Sequence, residues 1–149
     1  MVDLRSQYER LKADIDNAIA GVISSTAFIN GPDKRLFEEE LQRYLGNRHV
    51  IACGNGTAAL QTAMMTLGLK PGDEVITTNF TFIATVEVIE LLGLKAVLAE
   101  PDYGTFNISV EAIRKAITPR TRAIVPVHLF GQCADMEPIL DLARQHELF

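Results

Sequence analysis

The sequence predicts an α/β fold of three layers, a mostly parallel sheet with helices on both faces. Three observations carry that expectation. Four short runs rich in valine and isoleucine, "HVIAC" (49–53), "DEVITT" (73–78), "KAVLAE" (95–100) and "RAIVPV" (122–127), recur at intervals that each leave room for a helix. Helical patterns occupy 57–67, 81–92 and 110–117, and another follows the last run at 136–146. The runs are apolar throughout instead of alternating, the pattern of strands buried on both faces.

Taken in order, the elements begin with two helices. Leu4, Tyr8, Leu11, Ile15, Ile19 and Val22 recur at helical spacing, and Asp3 is placed to cap them, so a helix is expected over 4–22. "SSTAFINGPD" (24–33) is a break rich in turn formers. A second helix follows from about Lys34, with Phe37, Leu41, Tyr44 and Leu45 on one face. After "GNRH" (46–49) the strand-and-helix pattern takes over. Within it "GLKPGDE" (68–74) stops a helix by glycine and turns through Pro-Gly. The closing "DLARQHELF" (141–149) stops where another strand is due, so the sheet is expected to be truncated at its C-terminal end, as in a fragment of a longer protein. There is no internal repeat and no low-complexity linker.

Composition narrows the function classes. At 149 residues, 48% of them apolar, the chain can bury one domain's core, and no apolar run approaches the roughly 20 residues of a membrane span. The charged start "MVDLRSQYER" has no apolar signal region, which points to a cytoplasmic protein. A net charge of −5 with both signs interspersed argues against a nucleic-acid surface, although a local pocket can still bind a small anion. Cys53 and Cys133 lie far apart and form no CxxC, so two buried thiols are expected. His49, His128 and His146 have no ligand-like spacing, and no metal site is expected.

In open α/β sheets ligands collect beyond the carboxyl ends of the strands. Three turns there hold candidate residues. In "CGNGTAA" (53–59), Gly56 and Thr57 open a helix whose free N–H groups and dipole favour a phosphate, although any strand-to-helix turn also wants a glycine and a cap. Neither the dinucleotide nor the nucleoside-triphosphate glycine fingerprint is present. In "TTNFTFIAT" (77–85), Thr81 is placed to cap the next helix with Phe82 in its first turn; Phe82 can stack on a heteroaromatic ring or, the commoner role of a lone phenylalanine, fill the core. In "VHLFGQCAD" (127–135), His128 can bind a ligand or tie down a loop, and Asp135 reads as a helix N-cap. Together the turns suggest a cofactor with a phosphate and an aromatic ring.

"FINGP" (28–32), "GNGTAAL" (54–60), "LGLKPGDEVITTNFTFIAT" (67–85) and "AITPRTRAIVPVHLFGQCADM" (116–136) resemble, in order and spacing, the amino-terminal part of the DegT/DnrJ/StrS sugar aminotransferases. These are pyridoxal-phosphate enzymes of the aspartate-aminotransferase fold, fold type I. The resemblance covers essentially all 149 residues. It implies that 1–149 comprises N-terminal helices and the first part of the cofactor-binding large domain, with the rest of that domain and a C-terminal small domain beyond. It implies pyridoxal 5'-phosphate as cofactor, its phosphate on Gly56 and Thr57 with Ala58 adjacent, its ring stacked on Phe82, and His128 nearby. Phe28, Asn30 and Gly31 fall in the segment near the sugar-nucleotide side.

The same resemblance implies ping-pong transfer of an amino group, from glutamate, to a keto-sugar on a nucleotide diphosphate, in amino-sugar synthesis for polysaccharide or secondary metabolites, by a homodimer. The family's Schiff-base lysine and the aspartate facing the pyridinium nitrogen are expected beyond Phe149. No catalytic residue is therefore assigned, and this stretch alone is expected to be inactive. The competing readings are a sugar dehydratase of the same family, with histidine for the lysine, and a non-catalytic regulatory or binding module on the same fold. A Rossmann-type nucleotide binder fits poorly without its glycines.

Overall fold

The computed structural model describes residues 2–149, which fall into two compact units, Met1–Ala52 and Cys53–Phe149. The first unit holds two helices. α1 (Leu4–Ser25) starts where Asp3 accepts from the Ser6 N–H at 3.1 Å, and it ends at Thr26 in the left-handed conformation. α2 (Pro32–Leu45) has proline in its first turn, where no N–H is needed, and ends at Gly46 with φ +65°. Among the described residues of α1 and α2 none is buried. The apolar stripe read from the sequence is present, but Leu4, Leu11, Ile19 and Phe37 of that stripe are exposed.

The expected strand at 49–53 does not form. A run of β-branched residues becomes a strand only by pairing. Here the Ala52 N–H goes instead to a helix side chain, Glu38 Oε1, at 2.8 Å, and Ile51 is 83% exposed.

The second unit carries the sheet. Its elements are α3 (Gly56–Met65), β1 (Glu74–Thr78), α4 (Ala84–Leu91), β2 (Lys95–Ala99), α5 (Val110–Ala116), β3 (Thr121–Val125) and α6 (Met136–Gln145). The three strands are parallel in the order β2-β1-β3, with Ile76 opposite Val97 on one side and Ile124 on the other. Successive side chains point to opposite faces, and both faces are covered. Val75 and Ala123 pack with Met64, Val88 and Ile89 under α3 and α4. Ile76 and Ile124 pack with Ile113, Ile139 and Leu142 under α5 and α6. The outer edge of β3 meets Phe149, which donates to Arg122 O and accepts from Ile124 N, both at 2.9 Å, the bonding of a residue in a parallel ladder.

Several boundaries and local roles differ from the sequence reading. α4 begins at Ala84, not Thr81, because the chain leaves β1 slowly: Asn79 N–H still bonds Ala99 O at 3.1 Å, and the Thr78 hydroxyl accepts from Phe80 N–H at 3.2 Å. Thr81 is therefore no cap, and Ile83 holds the N-cap position without a side-chain bond. Asp135 does stand at the N-cap of α6, but its carboxylate makes no capping bond among the described residues. Cys53 and Cys133, expected to be buried, are free and exposed, since both lie in turns and not in strands.

At the amino end of β1 the buried Glu74 carboxylate takes the Thr118 hydroxyl, Arg120 Nη2 at 2.7 Å and Lys95 Nζ at 3.4 Å. The Thr118 hydrogen bond, then that of Arg120, holds its pKa down from 4.5 to about 2. A carboxyl depressed on folding contributes stability above its unfolded value, and that stability drains away as the pH falls from 4.5 towards 2. Glu74→Gln should lower the thermal midpoint at pH 7 and flatten the fall of the midpoint across that acid window. Equal slopes for variant and parent would contradict the assignment.

Candidate cofactor site

The turn before α3 settles which donors are free. Asn55 caps the helix: its Oδ1 accepts from Ala58 N–H at 2.9 Å and its carbonyl from Ala59 N–H at 3.1 Å. Gly56 and Thr57, the first two helical residues, have no carbonyl one turn back to receive their N–H groups. The N–H of Ala58, which the resemblance places adjacent to the phosphate, is already engaged by Asn55. The two remaining donors stand at the positive end of the helix dipole.

Gly56 leaves the approach to that mouth clear. A Cβ built there meets nothing within 4 Å, and its φ lies outside the left-handed range; the same holds for Gly54. Neither backbone angle nor packing within the chain demands glycine at either position. The space a side chain would fill is left open beside two N–H groups that have no partner among the described residues, room enough for a small anion. Pyridoxal phosphate therefore fits the residues present: Gly56 and Thr57 would hold its phosphate.

Phe82 is 75% exposed, so within residues 2–149 its ring is no part of the core and its face is available for stacking. His128 lies three residues beyond β3, and its Nδ1 accepts from Ala134 N–H at 3.1 Å. It thus ties down its loop, and a ring that accepts at Nδ1 presents its N–H on Nε2. Thr77 of β1 pairs with Val125 of β3, so Phe82 and His128 leave the same edge of two adjacent strands.

Two of the clefts in this unit are lined by carboxylates, one of them beside Thr57 itself. Thr57 lines a groove of 480 Å³ with Gln61, Glu87, Val88, Glu90 and Leu91, where two carboxylates disfavour an anion. A polar cleft of 710 Å³ is bordered by Asp102, Asn107, Glu111, Cys133 and Asp135; its three carboxylates would likewise repel a phosphate.

Sequence reasoning missed Asn55 as the cap, although asparagine three residues ahead of an unpaired N–H is a legible signal. It also missed Asn107, for which no local signal exists.

Phe28, Asn30 and Gly31 belong to the other unit, Met1–Ala52. Phe28 is exposed, Asn30 has φ +50°, and Gly31 is the N-cap of α2. A Cβ on Gly31 would stand 2.3 Å from the Ala27 carbonyl oxygen, so packing alone requires this glycine. Gly31→Ala should displace the loop and fray the start of α2, read as lost hydrogen-exchange protection over its first intrahelical amides. Parental protection there would refute the clash.

Among the described residues no group of three His, Cys, Asp or Glu is placed to hold a metal, and no helix is long and apolar enough to cross a membrane.

The DegT/DnrJ/EryC1/StrS aminotransferase family matches residues 9–149. The UDP-2-acetamido-2-deoxy-3-oxo-D-glucuronate aminotransferase of Pseudomonas aeruginosa is 44% identical over 145 residues, 97% of this chain and 40% of that protein. The pleiotropic regulatory protein of Geobacillus stearothermophilus is 45% identical over 148 residues, 99% of this chain and 40% of that protein. The structure of NtdA from Bacillus subtilis with bound cofactor PMP superposes with a TM-score of 0.87 at 38% identity, covering 91% of this chain and 31% of that one. The chain thus spans about 40% of the length of the curated relatives it matches. With that match running over residues 9–149 and relatives at 44–45% identity along nearly all of its length, the chain belongs to the DegT/DnrJ/EryC1/StrS aminotransferase family.

Proposed function

We propose that the full-length protein transfers an amino group from glutamate to a keto-sugar linked to a nucleotide diphosphate, with pyridoxal 5'-phosphate as cofactor. The carrying observation is the pair of unengaged N–H groups at Gly56 and Thr57 beneath open space. In this reading those N–H groups and the Thr57 hydroxyl hold the cofactor phosphate, and Asn55 keeps the helix mouth open by capping Ala58. Phe82 presents its face to the pyridine ring, and His128 offers an Nε2–H from the neighbouring strand end. When bound, the cofactor supplies an electron sink for the amino-bearing carbon.

Phe28, Asn30 and Gly31 are proposed for the nucleotide-sugar side, with the exposed Phe28 ring and the Asn30 amide as its contacts. Residues 1–149 would form the N-terminal helices and first part of the large domain of that protein. The exposed apolar stripe of α1 supports a homodimer, and free, exposed Cys53 and Cys133 suit a reducing cytoplasm.

The test is a half-reaction. Full-length protein loaded with cofactor should convert glutamate to 2-oxoglutarate stoichiometrically and then pass the amine to a UDP- or dTDP-linked keto-sugar. The Geobacillus relative, a pleiotropic regulatory protein, supports a second reading, a regulator on the same fold. Cofactor binding without any 2-oxoglutarate would favour that reading and overturn the first.

A further inference from the structure

Asn107 has the contact set of a clamp. It is 4% exposed, in the loop between β2 and α5, and its side chain bonds only to a second loop, the one between β3 and α6. Its Nδ2 donates to Gln132 O and to Cys133 O, each at 3.2 Å, and its Oδ1 accepts from Leu129 N–H at 3.0 Å. The loop it grips starts at His128, whose Nδ1 accepts from Ala134 N–H. The turn 129–133 is therefore closed by Asn107 from one side and by the His128 ring from the other.

Both clamped segments hold a strained aromatic: Phe106, immediately before Asn107, has φ +59°, and Phe130, inside the turn, has φ +54°. L-residues adopt this conformation only where the surroundings impose it. The rings of Phe106 and Phe130 meet each other and Phe80, with centroids 5.5 to 6.5 Å apart, at the carboxyl edge of the sheet.

We propose that Asn107 is a positioning residue of the cofactor site: through three hydrogen bonds across 22 to 26 residues of chain it holds Ala134 N–H against His128 Nδ1, and so fixes the tautomer and direction in which His128 meets the ligand. The proposal rests on the reading that places His128 beside the cofactor. Without the clamp, the carbonyls of Gln132 and Cys133 lose their buried donor and the turn relaxes, Ala134 N–H leaves Nδ1, and the imidazole proton distributes over both nitrogens.

The experiment compares parent, Asn107→Ala and Asn107→Asp by imidazole nitrogen shifts, amide hydrogen exchange and pyridoxal-phosphate affinity, with folding followed by circular dichroism. The parent should show a single Nε2–H tautomer of His128. In Asn107→Ala both tautomers should be seen, and exchange at Leu129 and Ala134 should rise about tenfold, the loss of one hydrogen bond. Asn107→Asp keeps an acceptor for Leu129 but has no donor for the two carbonyls, so Leu129 should stay protected while Ala134 opens. That variant decides the matter if Asn107→Ala does not fold. A folded variant with the parental tautomer and parental Ala134 protection overturns the clamp. A tautomer change with cofactor affinity equal to the parent's overturns its role in the site. A full-length parent that binds no cofactor, with the clamp effects present, defeats the reading of the site and not the clamp.

Discussion

Gly56→Val should abolish binding of pyridoxal phosphate to the full-length protein while leaving its fold intact. The added Cβ projects into open space and meets no atom of the chain, and the backbone angle there is one that valine accepts. The first helical position also tolerates a β-branched residue at small cost in propensity. What the isopropyl group does fill is the approach to the N–H groups of Gly56 and Thr57. Thr57→Ala leaves those donors and the helix dipole in place and removes one hydroxyl contact to a charged group, a loss of about 1.5–3 kcal/mol. Phe82→Ala takes away an exposed stacking face and no charge contact, so it should also weaken binding less than Gly56→Val. Equilibrium titration of the three variants, with circular dichroism spectra matched to the parent, gives the order. Parental affinity in Gly56→Val would reduce the glycines of this turn to chain geometry.

Ile76→Ala should destabilise the Cys53–Phe149 unit by about 2–5 kcal/mol, a large share of the roughly 5–15 kcal/mol that holds a domain together. Ile76 is completely buried in the central strand, between Val97 and Ile124, and faces the core formed with Ile113, Ile139 and Leu142. Parallel strands on both sides prevent the site from collapsing around the lost atoms. Ile51→Ala is the matched control. Its side chain is 83% exposed, so the change should stay within about 0.5 kcal/mol. Denaturant midpoints measure both. A loss at Ile51 comparable with that at Ile76 would mean that 49–53 is a buried strand after all.

That contrast also marks where the sequence was readable. The runs around Val75–Ile76, Val97 and Ala123–Ile124 became strands because each is apolar on both faces and is followed by a helix that covers one of them. "HVIAC" has the same composition, and no local pattern reveals whether a strand finds an edge to pair with. The start of α4 was misplaced by three residues because the Asn79 bond to Ala99 depends on register across the sheet, not on neighbours in sequence. At the candidate site, the start of α3 at Gly56 was legible from its glycine and its place ahead of a helix. The engagement of Ala58 required noticing that an Asn55 cap would take that N–H. Asn107 was invisible, since its partners lie 22 to 26 residues away and are main-chain atoms that carry no residue signature. Gly31 was legible only as part of a turn, since its close approach to the Ala27 carbonyl depends on how the loop folds back before α2.

The most direct test of the phosphate assignment is an amide nitrogen–proton correlation spectrum of the full-length protein, recorded while pyridoxal phosphate is added. The N–H groups of Gly56 and Thr57 should show the largest downfield proton shifts, as expected of amides that gain an anionic acceptor, and Ala58, held by Asn55 Oδ1, should move much less. Shifts gathered around the cleft of Asp102, Glu111 and Asp135, with Gly56 and Thr57 unmoved, would contradict the account.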